Sequence, residues 1–163
     1  MDVQIILKLV LLLVIANGAP VIARVLFRQR FSQPLDRNLY FVDGRPLLGQ
    51  TKTVRGIVSA MFITALMAPL FDLTPVQGAL FAVLSMSGDV VSSFIKRRLG
   101  IASSRQAPLL DQLPETLLPL WIMHPVLMET IQEASAALAI FVVIDWLVSR
   151  QRETVSSDTG DAR

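Results

Sequence analysis

The sequence predicts an all-α integral membrane protein with about five transmembrane helices. Hydrophobic residues make up 53% of its 163 residues and charged residues only 17%, and the mean hydropathy of +0.57 is high for a soluble domain. Outside the first helix, Lys and Arg are confined to residues 28–55, 96–105 and 150–163. The positive-inside rule therefore predicts that these three segments are cytoplasmic, with the N-terminus outside and the C-terminus inside.

The first apolar run extends from Val3 to Phe27, which is long enough to cross a hydrocarbon core of about 30 Å. Lys8 near its start gives it some likeness to a signal peptide. The run is longer than a signal-peptide core, however, and no convincing small-residue cleavage site follows it. We therefore predict a first transmembrane helix, in which Pro20 and Arg24 indicate a broken, protein-packed segment.

Two pairs of shorter apolar runs follow. The first pair is joined by a turn at Asp72 that lacks basic residues, and the second by an acidic connection from Glu129 to Glu133, as external loops should be. Their helices are expected at residues 56–71, 75–95, 113–128 and 134–148.

We expect residues 1–150 to form a single polytopic membrane domain and the polar residues 151–163 to form a disordered tail. The chain has no cysteine, which excludes disulfides and thiolate metal sites, and one histidine, which excludes a His-rich zinc site. A metal ion would therefore be held by carboxylates, which favours Mg²⁺ or a similar hard cation.

Asp89 lies within an apolar run, where an ionisable group costs several kcal/mol unless it is paired or hydrated. On a helix, Asp89, Ser92 or Ser93, and Lys96 share one face. This stripe of carboxylate, hydroxyl and ammonium groups would suit a phosphate with its metal ion. The alternative is a structural ion pair between Asp89 and Lys96, or a hydrated position near the membrane surface.

Asp111 and Glu115 flank Pro114, which suits the first turn of the fourth helix. With a metal ion nearby, both carboxylates would face the same cytoplasmic mouth as Asp89. The alternative is that they are helix-entry residues favoured by the helix dipole. Asp145 in the last helix has a weaker functional case, because no other ionisable residue shares its segment.

The segment DGRPLLGQTKTVRG, residues 43–56, is close to a phosphate-binding P-loop, but two residues separate Gly49 from Lys52. Its backbone amides and side chains could still cradle phosphates near the start of the second helix. The alternative is a basic loop that attracts anionic lipid head groups. The residues concerned are Gly44, Gly49, Lys52, Thr53 and Arg55.

Four motifs in order, ANGAP, DGRPLLGQTKTVRG, SGDVVSSFIKRRLGI and DQL, make the chain similar to the CDP-archaeol synthase family, apart from its tail. This family is a branch of the membrane CTP-dependent phosphatidate cytidylyltransferases. The resemblance implies transfer of a cytidylyl group from CTP to a lipid phosphate, with release of pyrophosphate and with Mg²⁺ as cofactor. It implies a multi-pass protein of the cell membrane with its active site facing the cytoplasm. A homodimer is possible, and we expect no nucleic-acid partner.

The resemblance also implies roles for individual residues. The implied catalytic residues are Asp89, Lys96, Arg97 and Asp111. The implied metal ligands are Asp89 and Asp111, with Glu115 as a further candidate. The implied nucleotide-binding and phosphate-binding residues are Asp43, Gly44, Arg45, Gly49, Lys52, Thr53, Arg55 and Ser93.

The chain departs from the family where Asp-Gln-Leu-Asp becomes Asp111, Gln112, Leu113 and Pro114. Only Glu115, one residue later, is placed to replace the missing acid. One alternative is therefore a catalytically silent relative that binds lipid or a membrane partner. A small transporter that uses Asp89 and Asp145 as intramembrane charges is less attractive, because the chain shows no internal repeat.

Overall fold

The computed structural model describes residues 1–102, 107–127 and 129–158. Within these ranges the chain is helical and contains no extended strand, which confirms the predicted fold class. A 3₁₀ turn, Ala68–Phe71, follows the second helix directly. The helices are α1 (Val3–Phe27), α2 (Val54–Met67), α3 (Pro75–Arg98), α4 (Pro108–Leu127) and α5 (Ile131–Asp158).

Four segments in the described part of the chain are long and apolar enough to cross a membrane: Val3–Phe27, Val54–Phe71, Pro75–Arg98 and Ile131–Val148. The chain is thus a multi-pass membrane protein. The remaining helix, α4, is not among these four segments. It carries several polar residues and three internal prolines, and it packs extensively against α3. The orientation of these helices in the membrane stays a prediction, which rests on the positions of the basic residues.

Local capping sets the beginnings of α2 and α3. Thr53 precedes α2 and accepts a hydrogen bond from the N–H of Gly56 at 3.2 Å, so the helix begins two residues earlier than expected. Thr74 and Gln77 form a capping box at the start of α3. This helix continues to Arg98, three residues beyond the expected end, because the helix dipole favours basic residues in the last turn.

The beginning of α4 differs from the prediction. Pro108, rather than Pro114, occupies the first position, and Pro114 lies inside the helix. The carboxylate of Asp111 accepts a hydrogen bond from the N–H of Ala107 at 3.0 Å, which secures the first turn five residues earlier than expected.

Helix α5 is longer than predicted at both ends. Its start is capped reciprocally by Thr130 and Glu133, whose side chains accept hydrogen bonds from each other's backbone N–H groups. It then continues through residues 151–158, where the sequence predicts disorder. Prolonging an existing helix avoids the cost of nucleation, so polar residues can follow an apolar span in the same helix. Residues 159–163 lie outside the described part of the chain.

Helix α3 is central and packs on α2 and α4, while α1 packs on α2 and α5. Fully buried side chains from α1, α3 and α5 fill the interior, among them Leu9, Leu12, Leu13, Phe81 and Phe141. Because lipid tails are as apolar as these side chains, close backbone contact contributes much of the cohesion between membrane helices.

Two glycines of α3 allow such contacts. A Cβ at Gly78 would lie 2.5 Å from the Cβ of Ala68 and 2.7 Å from the carbonyl oxygen of Thr64. A Cβ at Gly88 would lie 2.5 Å from the Cα of Glu115. Gly78 therefore lets α3 approach α2, and Gly88 lets it approach α4 at the level of Asp89.

We expect Gly78→Ala to lower the free energy of unfolding by about 1–3 kcal/mol, because the added methyl group overpacks a backbone contact. Gly18→Ala in α1 is the matched control, since nothing lies within 4 Å of a Cβ there. The measurement is the thermal midpoint of helix loss in detergent micelles by circular dichroism. Equal midpoints for the two variants would contradict the packing argument.

Candidate functional site

Two lysine–aspartate ion pairs lie where α3 meets α4. The Lys52 Nζ is 2.5 Å from an Asp89 carboxylate oxygen, and the Lys96 Nζ is 2.8 Å from an Asp111 carboxylate oxygen. The structure thus brings together four residues that the sequence singled out in three separate segments. Asp89 pairs with Lys52 from the first polar connection, so the alternative of an Asp89–Lys96 pair is wrong.

The first polar connection is folded around a buried aspartate. Asp36 is only 5% exposed, and one of its carboxylate oxygens accepts hydrogen bonds from the N–H groups of Leu48 at 2.8 Å and Gly49 at 3.2 Å. The N–H of Leu35 donates to the carbonyl of Lys52, also at 2.8 Å. These bonds hold the backbone that presents Lys52. The motifs of the sequence do not single out Asp36, although an acidic residue in a basic connection was the available signal.

The turn from Asp43 to Arg45 is clasped to the end of α3. The Arg45 guanidinium donates to the carbonyl of Arg98 at 2.5 Å, and Arg98 in turn pairs with the Asp43 carboxylate. Burial raises the pKa of Asp43, but the N–H of Arg45 and the Arg98 charge outweigh it, and the pKa lies below its ordinary value. Gly44 adopts a φ of 72° in this turn.

Arg98 also lies over two aromatic rings. Its guanidinium carbon is 4.7 Å from the ring centroid of Phe41 in the connection and 5.1 Å from that of Phe94 in α3. Cation–π contacts of this kind add to the ion pair. The predicted phosphate-binding residues Asp43 and Arg45 thus make contacts that hold the connection against α3.

Three of the remaining predicted residues, Thr53, Arg55 and Arg97, form hydrogen bonds outside the two ion pairs. Thr53 caps α2, while Arg55 donates to the carbonyls of Arg28 at 2.9 Å and Arg30 at 2.5 Å. Ser93 is buried. Arg97 is also buried and donates to the carbonyl of Ile101 at 2.5 Å.

A buried polar extension of the site lies deeper between the helices. Glu115 is 8% exposed, and the charges of Asp89, Asp145, Lys52 and Asp111 all act on it. The carboxylate that follows Pro114 in sequence is therefore part of the same electrostatic cluster as the two ion pairs.

Gln112 and Asp145 complete this extension. The Gln112 side chain is almost fully buried and donates from Nε2 to an Asp145 carboxylate oxygen at 2.6 Å. The motifs of the sequence do not single out Gln112, and they give Asp145 a weaker case. The available signal for Asp145 was the spacing of this residue, four residues after Phe141 and eight after Ala137, which places all three on one face of α5.

The donors present fit Mg²⁺ in one particular way. Mg²⁺ is usually held by one or two carboxylates together with substrate phosphates and water. Asp89 and Asp111 offer such carboxylates, and each is paired with a lysine. Within residues 1–102, 107–127 and 129–158, no group of three or more His, Cys, Asp or Glu side chains could hold a metal ion. The arrangement suits a cation that arrives with phosphates better than a preformed protein cage.

The family model described as CarS-like, CDP-archaeol synthase, matches residues 67–151, which is more than half of the chain. Among curated proteins, the CDP-archaeol synthase of Hyperthermus butylicus is 38% identical over 104 residues, covering 60% of this chain and 59% of that protein. The CDP-archaeol synthase of Aeropyrum pernix is 40% identical over 105 residues, covering 61% of this chain and 57% of that protein. The chain thus spans less than two thirds of the length of these relatives.

A solved structure of an intramembrane enzyme for archaeal membrane lipid biosynthesis has a similar fold, with a TM-score of 0.74 and 32% identity. The similarity covers 86% of this chain and 90% of that one. The matched segment 67–151 includes Asp89, Lys96, Asp111 and Glu115. By the family match and the shared fold, the chain belongs to the CDP-archaeol synthase family.

Proposed function

We propose that this protein transfers a cytidylyl group from CTP to the phosphate of a membrane lipid and releases pyrophosphate. The observation that carries the proposal is the meeting of the Lys52–Asp89 and Lys96–Asp111 pairs at the contact between α3 and α4. Relatives named CDP-archaeol synthase support this reaction class. The lipid-phosphate substrate would approach from the bilayer that surrounds the helices.

The proposed reaction places modest demands on the protein. A lipid phosphate is already an anionic nucleophile, so no general base is needed. One of its oxygens forms a bond to the α-phosphorus of CTP while the bond from that phosphorus to the bridging oxygen of pyrophosphate breaks. The protein must bring two anions together in line and stabilise the charge of the leaving group.

The two lysines are suited to this task. In the structure Lys52 and Lys96 are each bound to an aspartate. We propose that they turn to phosphate oxygens when nucleotide binds, because charge-assisted hydrogen bonds to phosphate replace those to carboxylate. Arg97 is a further candidate for phosphate binding. Thr53 would contact the nucleotide from the first polar connection, and Ser93 would do so from α3, while the N–H of Gly49 stays bonded to Asp36.

The released carboxylates of Asp89 and Asp111, with Glu115 behind them, would hold Mg²⁺. When bound, Mg²⁺ supplies positive charge that neutralises the triphosphate and the leaving pyrophosphate. In this proposal Asp43, Gly44 and Arg45 act less directly, by keeping the connection that carries Lys52 against the end of α3.

We also propose that the site faces the cytoplasm, because the basic residues of the first polar connection and of the end of α3 cluster at the site. A homodimer stays a prediction.

The position of Glu115 favours an active enzyme over a silent relative. The family's second aspartate is replaced by Pro114, but Glu115 is buried and interacts electrostatically with Asp89 and Asp111. A carboxylate is therefore still supplied from this turn of α4. Asp145 likewise accepts a hydrogen bond from Gln112, so a role in this cluster accounts for its carboxylate without a transport pathway.

We expect Asp89→Asn to lower turnover at least about 100-fold, because it removes a charge that balances the cation at the reacting phosphates. Asp72→Asn is the matched control: it makes the same chemical change at the opposite end of α3. Asp72 has a φ of 57°, which asparagine also tolerates. The measurement is pyrophosphate release by both detergent-purified variants. Near-native turnover of Asp89→Asn would overturn this assignment.

We expect pyrophosphate release to require CTP, a lipid phosphate and Mg²⁺ together, and to stop when the metal is chelated. A panel of ether-linked, diacyl and isoprenoid phosphates identifies the lipid class. Mg²⁺-dependent CTP binding without release from any lipid would favour the silent relative. Cation-driven uptake of a solute into proteoliposomes, again without release, would favour the transporter.

A further inference from the structure

Asp145 is a carboxylate inside an apolar span. It belongs to Ile131–Val148, a segment apolar enough to cross a membrane, and follows the buried residues Ala137 and Phe141 at intervals of four. This spacing places it on the inward face of α5. An ionisable residue at such a position is destabilising unless it is paired, and intramembrane carboxylates usually have a function. Its hydrogen-bond donor is Gln112, one residue after Asp111.

The bond to Asp145 determines which way the Gln112 amide faces. The amide is planar, so when its nitrogen donates to Asp145, its carbonyl oxygen points elsewhere. This oxygen is buried and has no hydrogen-bond partner among residues 1–102, 107–127 and 129–158. The hydroxyl of Thr116, one turn further along the same face of α4, is buried and similarly unpartnered in that part of the chain. Leaving such groups unmet is destabilising, because a buried polar group loses its hydration without gaining a hydrogen bond.

The neighbouring carboxylates make it unexpected that the oxygen of the Gln112 amide is the atom left without a partner. Glu115 lies between Gln112 and Thr116 in sequence and interacts with the charges of Asp89, Asp111 and Asp145. Next to carboxylates, an amide would present its N–H groups rather than its oxygen. Asp145 of α5 instead accepts a hydrogen bond from the amide nitrogen. The oxygen is then free to accept a hydrogen bond, and the bound partner must be a donor.

We propose that Asp145 is a positioning residue of this site: it holds the Gln112 amide so that the carbonyl oxygen accepts a hydrogen bond from the water shell of a bound Mg²⁺·CTP complex. This inference rests on the proposed function. Mg²⁺ keeps several of its waters when it binds through one or two carboxylates, and those waters are donors. Partners of this kind, one shell out from the metal, commonly alter metal affinity or activity by about 10- to 100-fold.

The test uses Asp145→Leu, Asp145→Asn, Gln112→Leu and the double variant Gln112→Leu/Asp145→Leu in the full chain. Ser85→Ala is the matched control, because it removes another hydrogen bond between helices, from Asn17 of α1 at 3.1 Å. Binding of Mg²⁺·CTP is measured by calorimetry, the KM for CTP and kcat by pyrophosphate release, and stability by the thermal midpoint. Leucine suits an apolar span, so insertion of Asp145→Leu should be preserved.

We expect Asp145→Leu to weaken Mg²⁺·CTP binding and raise the KM for CTP by about 10- to 100-fold. Asp145→Asn should retain most of the affinity, because its side-chain oxygen accepts the same hydrogen bond. Ser85→Ala should bind like the wild type despite a comparable loss in thermal midpoint. Because Asp145 acts through Gln112, the double variant should bind no more weakly than Gln112→Leu alone.

Two results would overturn the inference: Asp145→Leu binding Mg²⁺·CTP as tightly as Ser85→Ala, or the double variant binding much more weakly than Gln112→Leu. Failure of the proposed function is distinguishable from both. A wild-type protein that binds Mg²⁺·CTP but releases no pyrophosphate would overturn the proposed function, while the binding comparison would still decide the role of Asp145. A wild type that does not bind Mg²⁺·CTP would overturn both.

Discussion

The close contact between α3 and α4 at Gly88 is the constraint on which the rest of the site depends. The backbone of α4 at Pro114 and Glu115 occupies the space that any side chain at Gly88 would need. The helices therefore meet at the residue before Asp89, and Asp89 and Glu115 come to the same level. The Lys96–Asp111 pair joins the same two helices nearer the end of α3. A membrane protein gains rigidity from such backbone contacts because apolar side chains alone discriminate weakly against lipid.

The first polar connection depends on this helix pair in turn. It forms no regular secondary structure beyond isolated bridges, yet it holds Lys52 at a defined place. Asp36 organises it from within, and the mutual contacts of Arg45 and Arg98 fasten it to α3 from outside. The last turn of a transmembrane helix thus acts as a support for the loop as well as a boundary at the membrane surface.

The site keeps polar groups where burial makes them costly. Gln112, Glu115 and Thr116 are all buried on α4, and Asp145, in an apolar span, accepts a hydrogen bond from Gln112. A segment designed only for stability would carry aliphatic residues at these positions. Their presence beside two lysine–aspartate pairs conforms to the tendency of functional sites to sacrifice stability.

The sequence by itself determined the all-α membrane class, the bounds of α1 and the start of α3, and it singled out Asp89, Lys96, Asp111 and Lys52 as site candidates. These follow from hydropathy, charge and short motifs, which are local properties of the chain. Only the tertiary structure decided the partners. Asp89 binds Lys52, distant in sequence, rather than Lys96 on its own helix, and Asp145 meets Gln112 across two helices. Such pairings depend on where α3, α4 and α5 approach one another, and that is decided by packing at small residues such as Gly88, which hydropathy does not register.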